Sequence, residues 1–255
     1  MKTIMKDIWK TAGARGLARV RWIFYKELAA FFGSNTAPLA LGLTAFLCGL
    51  MSTALTIVPG ATYEGVTRVI FHAFYILIMT ASIFLSMSSF VNEKKQGTME
   101  LLYTLPVSDL ELALGKFLMG AAFVISLTLF MTLIYIVGIA EAPWYMTVTG
   151  AFGLMLVGFY AYAVGLFASS LTENYLTALL IAAAIVLGVD IGGFLAGLLP
   201  SPARDIITHM HGLNQFLPFT RGRIPLRGTV FFAGLTVFFL FLTVRTLESR
   251  RWRGG

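Results

Sequence analysis

The sequence predicts an all-α membrane protein: six transmembrane helices, an amphipathic helix ahead of them lying in the membrane interface, and one short helix in the polar stretch between spans two and three. Three observations predict this. Of 255 residues, 58% are apolar and only 12% charged, with a mean hydropathy of +0.82. Soluble domains carry about 25% charged residues, so a surface this apolar needs lipid as its solvent. Six apolar runs reach the roughly 20 residues that cross a hydrocarbon core as a helix: residues 38–58, 69–91, 116–139, 145–169, 176–199 and 229–247. No run alternates strictly between apolar and polar residues, which excludes a transmembrane β-barrel.

Residues 1–14 carry lysines and little periodicity and read as a cytoplasmic tail. Over residues 15–33 the pattern changes. Leu17, Val20, Phe24, Leu28 and Phe31 fall on one helical face, with Arg15, Arg19, Trp22 and Lys26 on the other. A helix that is basic on one side and apolar on the other lies along the interface rather than across the bilayer. From residue 34 to the end the chain reads as one six-span domain.

The 19 basic residues orient it. Those before residue 27, together with Lys94, Lys95, Lys116, Arg245, Arg250, Arg251 and Arg253, fall on one side; Arg68, Arg204, Arg221, Arg223 and Arg227 fall on the other. The positive-inside rule places both termini in the cytoplasm. The loop at 140–144 has no basic residue, as an outside loop should. At the turn 171–175, Thr172 or Asn174 can cap the helix that follows. The fifth span holds Gly188/Gly192 and Gly193/Gly197, two GxxxG pairs that allow close helix packing within a subunit or between subunits, with Asp190 among them. An intramembrane acid is costly and is often functional or paired. Residues 200–227 mix Ile206, Ile207, Phe216 and Phe219 with Pro200, Pro202, Pro218 and Pro225, the pattern of short broken helices dipping into the outer interface. The chain closes on arginines and Trp252, which pin the last span at the inner headgroups.

The polar stretch around residues 93–106 interrupts this design. Gly97 breaks any helix continuing from span two, Thr98 can begin a new one over residues 99–105, and Pro106 follows it. Met99, Leu102 and Tyr103 share a face while Glu100 points elsewhere. Ser108-Asp-Leu-Glu111 then forms a capping box for span three. A short rigid helix clamped between two breakers suits docking into a partner's groove.

Three stretches carry a resemblance: FVNEKKQGTMELLYTLPVSDLELALGKFLMG at 90–120, GLFASSLTEN at 165–174, and FLPFTRGRIPLRGTVFFAGLTVFFLFLTVRTLESRRW at 216–252. They resemble permease subunits of ABC transporters, of the six-span exporter-type (ABC-2) class and the branch that includes gliding-motility-type permeases. The motif E-K-x-x-G-T-x-E-L-L-x-T-x-P-V-S is long and specific, and the likeness covers most of the chain after Arg21. It implies that the N-terminal amphipathic helix is an elbow helix and that the short helix between spans two and three is a cytoplasmic coupling helix docking on an ATPase. Glu93, Lys94, Gly97, Thr98, Glu100, Leu101 and Pro106 fall at the coupling positions. Relatives often carry a histidine where Gln215 stands here, so a role resting on that histidine does not transfer.

The resemblance also implies partners: cytoplasmic ATPase subunits that bind ATP and Mg, a second permease chain (identical or related), an extracytoplasmic auxiliary or binding protein, and the bilayer of a bacterial inner membrane. The chain itself shows no ATP chemistry. Gly115-Lys116 mimics the end of a phosphate-binding loop, but Leu110 stands where its first glycine belongs and Phe117 replaces Ser/Thr. HExxH, GxSxG and paired CxxC motifs are missing, so no catalytic role or cofactor is assigned. Cys48 alone allows no internal disulfide. Asp205, His209 and His211 offer weak metal-ligand spacing, but histidines in an exposed loop are commoner than metal sites, and none is assigned. The net charge of +7 belongs to residues flanking apolar spans and suits anionic headgroups rather than nucleic acid. The alternative is a stand-alone channel or secondary transporter, which predicts charged residues in several spans and inverted repeats; Asp190 is the one clear mid-span acid and no repeat is evident.

Overall fold

The computed structural model describes residues 16, 18–31, 33, 42, 44, 46–47, 49–50, 62–99, 107–138, 143–195, 200 and 211–251, except the side chains at 63, 191–195 and 250–251. The described chain is helical, with turns between helices. We label helix α1 at 18–31, α2 at Tyr63–Ser86, α3 at Ser88–Lys95, α4 at Asp109–Gly138, α5 at Trp144–Leu171, α6 at Tyr175–Leu195, α7 at Gly212–Phe216 and α8 at Leu226–Arg251, with a 3-10 turn at Phe219–Arg221. Helical backbone also appears at 42, 44, 46–47 and 49–50 within the run predicted as span one, most of which lies outside the described residues.

Among the described residues, four helical stretches are long and apolar enough to cross a membrane: Glu64–Lys95, Asp109–Gly138, Trp144–Leu171 and Leu226–Ser249. Tyr175–Asp190, the part of α6 whose side chains are described, is apolar as well. These helices begin before or end after the apolar runs that predict them. The backbone ladder continues past the hydrocarbon edge into polar residues, because an interrupted ladder leaves its groups unpaired. Thus α2 and α3, separated only by Met87 in right-handed conformation, read as one 32-residue rod ending in Asn-Glu-Lys-Lys.

Helix α5 lies at the centre, against α2, α4, α6 and α8. Small residues make this possible. A Cβ on Gly150 would stand 2.4 Å from the Phe71 ring, one on Gly153 2.8 Å from Phe219, and one on Gly158 2.5 Å from Val124. Across α4, Gly120 receives the ring of Tyr162, at 2.1 Å from its would-be Cβ. Lipid offers apolar side chains as good a solvent as protein does, so helices associate through such close fits and polar links. Helix α4 illustrates the sorting: Leu112, Met119, Phe123, Leu127, Met131 and Tyr135 form its buried stripe, while Leu118, Ile125, Leu129, Leu133 and Ile136 remain exposed though equally apolar.

The bundle has two distinct ends. At one, α1 meets the end of α3 and the start of α4, the end of α8 joins their apolar cluster, and the α5–α6 turn lies against the end of α3. The far end gathers the start of α2, the end of α4, the start of α5, Asp190 and the segment 211–225. There Thr67 and Tyr135 share a hydrogen bond of 2.6 Å, the Thr149 hydroxyl donates to the Phe219 carbonyl at 2.7 Å, and Phe216 and Phe219 are fully buried.

Candidate functional site

The end of α3 is built as an anchored lever. Its ladder closes at Gln96, whose N–H bonds to the Asn92 carbonyl, and Gly97 then takes φ +67. That left-handed conformation costs other residues about 1–2 kcal/mol and makes Gly97 the C-terminal stop. The Thr98 hydroxyl donates back to the Glu93 carbonyl at 3.2 Å, and helical backbone resumes at Thr98 and Met99. Lys94 reaches across to the end of α5 and donates to the carbonyls of Ser169, Ser170 and Thr172 at 3.0, 2.7 and 2.9 Å. Those carbonyls end a helix and lack intrahelical partners, and the ammonium also meets the negative pole of the helix dipole. Next to it, Lys95 lies 3.9 Å over the Tyr175 ring, and the Tyr175 hydroxyl donates to Asn92 Oδ1. Both capping expectations hold locally: Asn174 accepts from the Leu176 N–H, while Ser108 and Glu111 exchange side chain-to-backbone bonds of 3.2 and 2.9 Å.

Beneath the lever sits a buried charge cluster. Lys116 in α4 is only 2% exposed. Its ammonium lies 2.9 Å from Glu93 Oε1 in α3 and 3.1 Å from Glu27 Oε1 in α1, donates to the Ser89 carbonyl at 2.8 Å, and faces the Phe90 ring at 5.2 Å. Lys26 stands 3.9 Å from Glu27 and 4.0 Å from Glu93, so two cations meet two carboxylates. A buried charge is tolerated when paired and hydrogen-bonded, and here the pairing ties together three separate segments. Arg19 adds a half-exposed contact from α1 to Glu111 at 3.6 Å. Gly115 lets Ile23 of α1 lie directly on α4, at 2.6 Å from a would-be Cβ. Ile23, Phe90, Met99, Leu112, Tyr162 and Leu247 then form an apolar cluster at this end.

A family model described as ABC-2 family transporter protein matches residues 50–226. The chain belongs to that family. No curated protein matches it. The apolar helices and the family together make it a multi-pass membrane protein, an ABC-2 permease.

Of the residues the permease resemblance singles out, Glu93, Lys94, Gly97 and Thr98 come together in the lever; Glu100, Leu101 and Pro106 lie outside the described residues. Met99 is buried against the permease's own apolar cluster. Three residues central to this end are not among the coupling positions the resemblance implies: Glu27, Lys116 and Tyr162. A signal for Lys116 exists in the sequence, since a lysine at the head of an apolar run, in a helix its capping box starts two turns earlier, needs acids close by, and Glu27 and Glu93 are both within its reach once α1 folds back.

At the far end, Asp190 accepts the Tyr75 hydroxyl at 2.9 and 3.2 Å. Gly212 sits so close that a Cβ there would be 2.6 Å from Asp190 Oδ1. Asp190 therefore clamps α7 to α2 and α6. Asp190→Ala removes the Tyr75 hydroxyl's acceptor and the contact on Gly212; hydrogen exchange across residues 212–221 should accelerate roughly tenfold or more, and unchanged exchange would show the clamp to be idle. Gly188 meets nothing within 4 Å; Gly192, Gly193 and Gly197 lie beyond the described side chains.

Proposed function

We propose that this protein is the permease subunit of an ATP-binding-cassette transporter, with both termini in the cytoplasm of a bacterium and six spans in its inner membrane. A separate ATPase, holding ATP and Mg, docks on the coupling segment around residues 93–106. Two permease chains face one another, and ATP-driven closure of two ATPases pushes the coupling segments and moves the spans, for export or for force transmission to an extracytoplasmic partner. The observation that carries this reading is the anchoring of the α3 lever. Lys94 grips the end of α5, Lys95 and Asn92 hold Tyr175 of α6, and Glu93 is paired to α4 and through Lys116 to α1. A push on this segment moves four helices together, whereas a loop without these links would absorb it.

The test is Glu100→Arg. The exchange reverses charge on the docking segment without touching the described core. Membrane insertion and yield should match wild type, while retention of the ATPase in a pull-down from detergent, and the permease-dependent part of its ATP turnover, fall about tenfold or more, the effect of losing a close interfacial charge pair. Normal ATPase retention and turnover would overturn the assignment. The stand-alone channel or secondary transporter predicts charged residues in several spans and inverted repeats; Asp190 is a mid-span acid and accepts the Tyr75 hydroxyl.

A further inference from the structure

We infer that the far-end rim carrying Arg221, Arg223 and Arg227 is a docking surface for anionic phospholipid headgroups. All three arginines are exposed, and none pairs with an acid among the described residues. Beside them Arg68 has its Nε buried without a hydrogen-bond partner. The acid described next to it, Glu64, already meets Arg68 at 3.5 Å and accepts the Tyr145 hydroxyl at 3.4 Å. The rim therefore holds a surplus of positive charge on the side where the rest of the chain avoids it.

The turn presenting these arginines is rigid. Gly222 adopts φ +77 and packs so tightly on Tyr145 that a Cβ would lie 2.3 Å from the ring. The backbone N–H groups of Arg221 and Arg223 both donate to the Pro218 carbonyl, at 3.1 and 3.2 Å. Little backbone entropy remains to be lost on binding. Arg227 stands in the first turn of the 26-residue helix α8, where the helix dipole disfavours a cation and favours an anion beside it. Guanidinium forks bind phosphate oxygens two at a time.

The flanking residues choose the source of that phosphate. Ile224, Leu226 and Trp144 are 59%, 79% and 76% exposed. Apolar and indole side chains next to arginines mark the boundary of hydrocarbon and headgroups. A phospholipid satisfies both halves of the surface, its phosphodiester on the arginines and its acyl chains along Leu226. A soluble anion or an acidic protein would leave the apolar half exposed.

The inference rests on the chain crossing a membrane and is independent of ATPase coupling, so the Glu100→Arg result does not bear on it. The test is lipid retention by the purified permease in nanodiscs of mixed phosphatidylcholine and phosphatidylglycerol, read by native mass spectrometry. Wild type should retain phosphatidylglycerol preferentially. The triple variant Arg221→Gln/Arg223→Gln/Arg227→Gln should lose that preference by about a hundredfold at low salt, each basic residue near an anionic surface contributing about fivefold. The triple lysine variant, which keeps charge and loses the forks, should fall between, and it guards against misfolding of the glutamine variant. Equal retention by wild type and both variants would overturn the proposal. So would a preference lost equally when Arg19 and Arg21 of α1 are changed instead, or one abolished by an acidic soluble peptide that binds wild type in lipid-free detergent.

Discussion

Replacing Lys116 with methionine is expected to be among the most damaging single changes in this permease. The substitution removes the cation between Glu27 and Glu93 and leaves two mostly buried carboxylates facing each other. Breaking a buried ion pair by deleting one partner costs about 3–5 kcal/mol, and Lys26, at 3.9 and 4.0 Å and half exposed, compensates only weakly. The thermal unfolding midpoint in detergent should drop sharply, and limited proteolysis should cut first near α1, which is tied to the bundle through Glu27. Adding Glu27→Gln and Glu93→Gln to Lys116→Met should restore most of the loss, because neutral amides no longer need a cation. If the single variant unfolds like wild type, or the triple variant is worse than the single, the cluster does not hold α1 in place.

The second large effect is expected at Gly120→Ala. A Cβ there would lie 2.1 Å from two carbons of the Tyr162 ring. That ring is fully buried, and its hydroxyl joins Ser89 at 3.2 Å and donates to the Lys116 carbonyl at 3.3 Å. It cannot swing aside without losing both links. Overpacking a close-packed core costs about 1–3 kcal/mol or more, here with a hydrogen bond of about 1 kcal/mol forfeited besides. Because Tyr162 belongs to the same apolar cluster as Met99, α5 should separate from α4 and the segment at 96–99 should loosen with it. The readout is the unfolding midpoint together with hydrogen exchange at residues 88–99. Gly120→Ala combined with Tyr162→Phe should recover little, since the clash is with ring carbons, whereas Tyr162→Ala should relieve the clash while opening a cavity. A midpoint equal to wild type for Gly120→Ala would sink the close-fit account of α4–α5 packing.

Glycine shows where sequence reading stopped. The fifth span advertises GxxxG pairs, yet Gly188 touches nothing described, while Gly150, Gly153 and Gly158 of α5 each admit a different neighbour. At i, i+3 and i+8 they share one broad face of α5, yet that face meets α2, α4 and the 3-10 turn, because a central helix is approached by several neighbours at once. A pattern search for one interface cannot see such a helix. Lys116 was missed for a related reason. Read linearly it is one more basic residue near a span end, and only the return of α1 onto α4 brings Glu27 to its ammonium.

By itself the sequence determined the helical class, the places of four long apolar helices among the described residues, the stop at Gly97, the capping box at Ser108 and the transporter family. Each of these follows from composition, local hydrogen bonding or contiguous motif, all of which act within a few residues. The tertiary structure alone decided which apolar faces pack, that Lys116 neutralises acids from two other segments, that Lys94 closes the end of α5, and that Asp190 holds the far-end segment. In a lipid solvent every span is apolar on all sides, so hydrophobicity does not distinguish an inward face from an outward one. That choice falls to ring-on-glycine fits and buried polar links between residues far apart in the chain.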